Sequence, residues 1–301
     1  MRVTNNMATL NAVASITSAR EQMDAAQTQV SSGKKFMVAS ADPLAAAGVM
    51  TNNSQLRALG QYKLNASTAA QRATLDESAL DQLTQLLTRA REIATAQGTD
   101  TASATTRQAS LAEVNQLLAQ AVQISNTKSG SEYLFGGANP GIVPYTINTV
   151  GPAYTYTVAI PPPTGARQIE IGVGQKITAN HDGTTVFGDA TGGPLKVLQD
   201  LATALQTGTT AAVTGTLPSL ITQMDNTQNL LGETGARANQ LQMTSSNITA
   251  LTNQLATFNS NLQDVDVESA ITELVGRQTA YQAAMAATSR MLSLSLTDYL
   301  K

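Results

Sequence analysis

The 301-residue chain has no cysteine, no tryptophan and one histidine, His181. Without thiols there are no disulfides, no thiol nucleophile and no thiolate metal site. One imidazole cannot build a His-rich metal centre and leaves little for a His-based catalytic relay. Charge is also scarce: 13% of residues are Asp, Glu, Lys or Arg, about half the roughly 25% of an average soluble domain. The formal net charge is −3 and no basic block occurs, so neither nucleic acid nor an anionic membrane is expected as the main partner. The longest small-apolar run is Ala45-Ala46-Ala47-Gly48-Val49-Met50, far below the roughly 20 residues of a membrane helix. The opening Met1-Arg2-Val3-Thr4-Asn5-Asn6 is polar and broken, unlike a cleavable leader. The sequence therefore predicts a chain that stays in the cytosol or leaves it by a leaderless route, with no cofactor and no enzymatic activity.

In place of charge the chain carries 46 Ala, 41 Thr and 25 Gln. Helix breakers are concentrated: residues 130–194 hold 12 of the 21 Gly, 7 of the 9 Pro and six of the eleven aromatics. That distribution divides the chain into an N-terminal helical arm, a middle segment of different character and a C-terminal helical arm. In the middle, Tyr154-Thr155-Tyr156-Thr157-Val158-Ala159-Ile160 is bulky at every second position, the period of a half-buried strand. Ile169-Glu170-Ile171-Gly172-Val173 repeats the pattern, with the connector Pro161-Pro162-Pro163-Thr164-Gly165 between them. Asp182-Gly183 is a further turn candidate. A small antiparallel β unit is expected here, its few charges and small core favouring an appendage over an independently folding unit.

The arms read as amphipathic helices. In the first arm Val3, Met7, Leu10, Val13, Ile16, Met23 and Val30 form a stripe ending at Ser31-Ser32-Gly33, a helix stop. Helices are expected at 44–60, 65–97 (Leu75, Leu83, Leu86 and Ile93 on one face) and 104–128 (Leu111, Val114, Leu118). Shorter ones are expected at 195–206 and 211–231, the latter running on through Gly232 and Gly235. Ile248, Leu251, Leu255, Phe258, Leu262 and Val265 then follow at spacings of 3, 4, 3, 4 and 3, a coiled-coil seam of period 3.5. After Asp264-Val265-Asp266 the register slips and restarts at Val267, Ile271, Leu274, Gln278, Tyr281, Met285, Thr288 and Leu292, with Leu296 beyond. A joint is expected at 264–267, its carboxylates facing the positive end of a new helix dipole. Each arm has too few large aliphatics to offset the entropy of ordering its backbone alone. The arms should therefore become helical when packed against each other and against further copies.

Isolated polar motifs read as structure. His181, in Asn180-His181-Asp182-Gly183, reads as a surface turn residue. Asp264 and Asp266 lack the further oxygen ligands of a metal loop and read as caps. Ser31-Ser32-Gly33-Lys34-Lys35 lacks the full phosphate-loop pattern. Methionines on helical stripes read as packing.

Three stretches in order resemble the bacterial flagellin family, which includes shorter flagellin-like junction proteins. They are Val30-Ser31-Ser32-Gly33-Lys34-Lys35 with Ala39-Ser40-Ala41-Asp42-Pro43-Leu44-Ala45; Leu75-Asp76-Glu77-Ser78-Ala79-Leu80 through Arg89-Ala90-Arg91-Glu92-Ile93-Ala94; and Asp264-Val265-Asp266 through Ala280-Tyr281-Gln282-Ala283 to Ser293-Leu294-Ser295-Leu296. Ser131-Glu132-Tyr133-Leu134-Phe135-Gly136-Gly137 and the ending Leu296-Thr297-Asp298-Tyr299-Leu300 are similar to the junction members, and a short filament-forming flagellin is the nearest alternative. The resemblance implies a mainly α fold: a long antiparallel helical bundle or coiled coil formed by both termini, with an inserted small β domain. Residues 1–40 with 265–301 would form an inner assembly region, 41–133 with 195–264 a helical rod, and 134–194 an outer β-rich domain. The assembly interface would be Val3, Met7, Leu10, Val13, Ile16, Met23, Val30, Ile271, Leu274, Tyr281, Met285, Leu292 and Leu296. The rod core would be Leu75, Leu83, Leu86, Ile93, Leu111, Val114, Leu118, Ile248, Leu251, Leu255, Phe258 and Leu262. The resemblance also implies an extracellular place at the junction of flagellar hook and filament. Export would use the flagellar secretion apparatus with a cytosolic chaperone and no cleaved leader. The partners would be copies of itself in a ring, the first hook-associated protein and flagellin.

Overall fold

Long uninterrupted stretches of Ala, Leu, Gln, Thr and Arg favour helix, and helices dominate the chain. In the computed structural model, the described residues are 2–100 and 102–299, with side chains described except at 1–6, 8, 101 and 291–301. The elements run α1 (Arg2–Ser32), α2 (Pro43–Gln97), α3 (Ala104–Ser125), β1 (Lys128–Ser129), β2 (Glu132–Tyr133), β3 (Tyr145–Asn148), β4 (Thr155–Val158), β5 (Gln168–Gly172), β6 (Gln175–Thr178), α4 (Gly183–Phe187), α5 (Pro194–Thr207), α6 (Thr210–Gln263) and α7 (Val267–Tyr299). They form two compact units, Met1–Ala58 with Leu251–Lys301, and Leu59–Ala250. No helix among the described residues is long and apolar enough to cross a membrane.

One helix boundary differs from expectation. The separate helices at 44–60 and 65–97 are one, α2. Gly60 lies in its interior with open space where a Cβ would stand, and an interior glycine costs only about 1 kcal/mol, too little to break a long helix. Residues 211–231 run on through Gly232 and Gly235 within α6, as expected, and α6 also accommodates Pro218. The chain does break at 264–266, between α6 and α7.

The 59–250 unit is built on leucines at helical spacing. Leu80, Leu83 and Leu87 of α2 meet Val114, Leu118 and Ala121 of α3, Leu195, Leu198 and Leu201 of α5, and Val213 and Leu220 of α6 in one buried cluster. Capping sets the ends of the shorter helices. Ser103 accepts from the Thr106 amide at the start of α3, and Pro194 opens α5, which stops at the left-handed Gly208 (φ 73°).

The β segment is three separate antiparallel hairpins, β1–β2, β3–β4 and β5–β6. The expected strands at 154–160 and 169–173 pair with their local neighbours and not with each other: Tyr145 faces Val158, and Ile169 faces Ile177. Proline lacks the amide that a tight turn or a ladder would use, so Pro161–Pro163 separates two hairpins. The β5–β6 turn is Val173-Gly174, with Gly174 at φ +69°. Asp182-Gly183 is the start of α4, where Asp182 Oδ1 accepts from the Thr185 amide at 2.8 Å.

The β segment shares its core with the helices. Phe135, Tyr145, Tyr156 and Phe187 belong to the same buried cluster as the helices, with Phe135 and Phe187 edge to face at 5.0 Å. Asn115 of α3 and Asn126, the residue that follows α3, hold the β3–β4 ribbon. Asn126 donates to the Tyr145 carbonyl (2.7 Å) and accepts from its amide (3.1 Å). Asn115 donates to the Pro152 carbonyl (2.7 Å) and accepts from the Tyr154 amide (2.9 Å). The Tyr145 hydroxyl donates to the Gly188 carbonyl at 2.7 Å. Two-stranded ribbons are marginal alone, and the aromatic faces of these are stabilised by helix contact.

His181 is not a surface turn residue. It is 5% exposed, with Nδ1 2.7 Å from Asp76 Oδ2 on α2 and Nε2 3.1 Å from Arg237 Nη2 on α6. Its Nε2 also lies 3.5 Å from Glu233 Oε2. Sequence context indicates a turn; only the fold brings Asp76 and Arg237 to it from 105 and 56 residues away. Glu132 binds β2 to α2 and the segment before β5, accepting from Arg72 and, at 2.6 Å, from Arg167. Burial pushes its carboxyl up, but the Arg72 hydrogen bond and the charges of both arginines outweigh this and hold it below the usual carboxylate range.

Candidate assembly surface

In the terminal unit, α1 packs against α7. Along α1 a series of less exposed positions runs Thr9, Ala12, Ile16, Ala19, Met23, Ala26 and Val30, with Gln29 and Ser32 also half-buried at its end, and along α7 it runs Ala270, Leu274, Arg277, Tyr281, Ala284 and Thr288. Both series step by alternating threes and fours, a 3.5-residue seam. The helices are antiparallel: Gly33 accepts from the Val265 amide at 2.9 Å, and farther along Arg277 donates to Gln22. Small residues dominate, with Ala26 5% and Ala270 4% exposed.

The two signature loops close one end of this pair. Lys34 and Asp264 form a β-bridge, the Lys35 amide donates to the Gln263 carbonyl at 2.7 Å, and Lys35 Nζ donates to the Asn261 carbonyl at 2.7 Å. Gly33, at φ +69°, makes the turn. The residues that suggest a truncated phosphate loop thus hold a joint. Asp266 acts as a cap, accepting from the Glu268 amide at 3.1 Å. Asp42 Oδ1 accepts from the Ala45 amide at 3.0 Å and starts α2. Phe36 is buried with Ala46 and Val49. Asn259 of α6 links to Asn52 and Asn53 of α2 at 3.0 and 2.9 Å.

The expected interface residues separate into two sets. Ile16, Met23, Val30, Leu274 and Tyr281 are half-buried in the seam. Met7, Leu10 and Val13 on α1, and Ile271 and Met285 on α7, are exposed by 45–66%. At 3.6 residues per turn, Met7 and Leu10 lie roughly opposite the α1 seam, and Ile271 lies about a quarter turn from the α7 seam. Val3, Leu292 and Leu296 fall outside the described side chains. The single stripe read in each arm is therefore corrected: an alanine-rich seam that includes Ile16, Met23, Val30, Leu274 and Tyr281 faces the other helix, while Met7, Leu10, Val13, Ile271 and Met285 face outward. The sequence reading missed Ala12, Ala19, Ala26, Ala270 and Ala284, although their spacing with Ile16, Met23 and Leu274 carries the signal. It also missed outward Val275, Leu44 and Met50, exposed by 57%, 86% and 63%.

Of the expected rod core, Leu83, Ile93, Leu111, Val114, Leu118, Ile248 and Leu255 are buried, and Leu75 and Leu86 pack partly buried against the main cluster. Leu251, Phe258 and Leu262 are exposed by 44%, 48% and 36%, a correction. The 3.5 repeat of α6 is real in sequence, but within one chain only part of its stripe is covered.

Among the described residues no group of three or more His, Cys, Asp or Glu is placed to hold a metal ion. The chemistry on offer is apolar burial between helices.

Residues 3–140 match the family model of the bacterial flagellin N-terminal helical region, and residues 214–300 that of the C-terminal helical region. Flagellar hook-associated protein 3 of Escherichia coli K12 is 28% identical, over 89% of this chain and 90% of that one. The protein of the same name from Salmonella typhimurium LT2 is 26% identical over 98% of both. The crystal structure of hook-associated protein 3 from Legionella pneumophila has the same fold, with a TM-score of 0.61 at 15% identity over 71% of this chain and 98% of that one. Paired antiparallel terminal helices with an outward apolar face, the two signature loops joined at their base, and family matches at both ends lead to one assignment: the chain belongs to the bacterial flagellin family.

Proposed function

We propose that this chain is a structural adaptor of the bacterial flagellum, joining the hook to the flagellin filament. The observation that carries the reading is the two-faced terminal helix pair. An alanine-rich seam is satisfied within the chain, and Leu10, Val13, Ile271 and Val275 remain open for neighbouring copies. Burying a large aliphatic contributes about 1.5–3 kcal/mol, so several per copy, repeated around a ring, hold an assembly without charged contacts and their desolvation cost. The names of the full-length relatives, hook-associated protein 3, support the adaptor over a short filament-forming flagellin.

In this reading residues 1–40 with 265–301 form the inner assembly region, 41–133 with 195–264 the rod and 134–194 the outer part. The first hook-associated protein lies on the hook side and flagellin on the filament side. A cytosolic chaperone accompanies the chain to the flagellar secretion apparatus, which exports it without a cleaved leader. Electron microscopy of the tagged protein on intact cells tests the reading: label is expected in one narrow band between hook and filament. Label along the whole filament, or long filaments grown from the purified chain under salting-out conditions, would replace it with the flagellin reading.

A further inference from the structure

With no cysteine in the chain, methionine thioethers are its only oxidisable sulfur. Methionine is usually among the buried residue types, yet here Met7, Met37, Met50, Met243 and Met285 are exposed by 58%, 64%, 63%, 62% and 45%. All but Met243 lie in the terminal unit. Met224, 8% exposed, belongs to the core of the other unit, and Met23 is half-buried in the α1–α7 seam. Met7 shares the outward face of α1 with Leu10, and Met285 that of α7 with Ile271.

We propose that Met7, Met37, Met50 and Met285 are sulfoxidation sites through which peroxide in the medium blocks assembly of the unassembled chain. The inference rests on the assembly reading above. The thioether sulfur attacks one oxygen of hydrogen peroxide; the O–O bond breaks, an S–O bond forms, the sulfur is oxidised by two electrons and the peroxide is reduced to water. The product is a polar, chiral sulfoxide where an apolar contact is needed, and methionine sulfoxide reductases reverse it. An unpaired S=O buried between copies weakens the contact about tenfold or more. Incorporation into the ring covers the same atoms, so the window of sensitivity lies between export and assembly.

The test uses the full chain, untreated and peroxide-treated, added to hooks that carry the neighbouring hook-associated protein, alongside a variant with Met7→Leu, Met37→Leu, Met50→Leu and Met285→Leu. Peptide mass spectrometry is expected to show one added oxygen at these four residues well before Met224. Treated wild type should attach at least tenfold less with an unchanged far-ultraviolet spectrum, the variant should keep its attachment, and reductase treatment should restore the wild type. The inference is overturned if treated wild type attaches like untreated, if reductase restores nothing, or if the variant loses as much as wild type. Failure of the untreated wild type to attach sinks the adaptor reading itself and this inference with it. If the variant does not fold, the wild-type and reductase arms still decide.

Discussion

Leu10→Ser separates folding from assembly. Leu10 is 66% exposed on the face of α1 away from α7, so the substitution removes little burial inside the chain. Its effect on unfolding should stay within about 0.5 kcal/mol, as for surface changes generally. Full burial of a leucine side chain is worth about 2 kcal/mol, so the two thirds still open represents about 1.3 kcal/mol available from a neighbouring copy. Losing that weakens each contact close to tenfold. Circular dichroism melts give the first quantity, and co-sedimentation of purified chain with isolated hooks gives the second. The expected result is an unchanged melting curve with roughly tenfold weaker attachment. Ala26→Asp, 5% exposed in the seam, provides the contrast, because it should lower the stability of the chain itself. A Leu10→Ser melt displaced by many degrees, or attachment equal to wild type, would refute the division into inward and outward faces.

Other outcomes follow from the same structure. Leu201→Ala, at a fully buried position of α5, should cost about 3–5 kcal/mol in urea unfolding. Gly33→Ala forces an L side chain to φ +69° and should cost about 1–2 kcal/mol, read as reduced stability with the 59–250 core intact by near-ultraviolet dichroism. Glu132 and Glu233 are both held below their ordinary 4.5, Glu233 chiefly by the Arg237 hydrogen bond. Their contribution is therefore full above that pH and is lost as pH falls through the depressed values. Glu132→Gln should lower stability at neutral pH and flatten the acid limb of the stability curve, as measured by chemical denaturation from pH 7 to 3. Deleting residues 140–190 removes Tyr145, Tyr156 and Phe187 from the shared core and should leave the 59–250 helices aggregation-prone, visible as dye binding and loss of monomer in size-exclusion chromatography.

Much of the architecture is legible before folding is considered. Helix needs only local hydrogen bonds and compatible side chains, so the Pro-poor flanks, the stop at Ser32-Gly33 and the joint at 264–266 can be read from composition and spacing. Buried positions of the 59–250 unit are legible where periodicity is strong, as at Leu83, Leu111, Val114 and Leu118. Hairpin partners are less so: the alternation around Tyr156 and Ile171 marks strands correctly but does not say that each pairs with its own neighbour across a short turn. His181 was misread because its burial depends on two residues distant in the chain.

Local composition and short-range pattern fix the helical arms, the β character of the middle, the lack of thiols and the family. Tertiary structure decided which apolar residues of a periodic stripe turn inward. Periodicity shows that a helix has an apolar side, whereas the choice between Ile16 and Leu10, or Leu255 and Phe258, depends on where the partner helix lies. The sides of α1 and α7 that meet carry Ala12, Ala19, Ala26, Ala270 and Ala284 beside Ile16, Met23, Val30 and Leu274, and Leu10, Val13, Ile271 and Val275 remain outside, where another molecule can cover them.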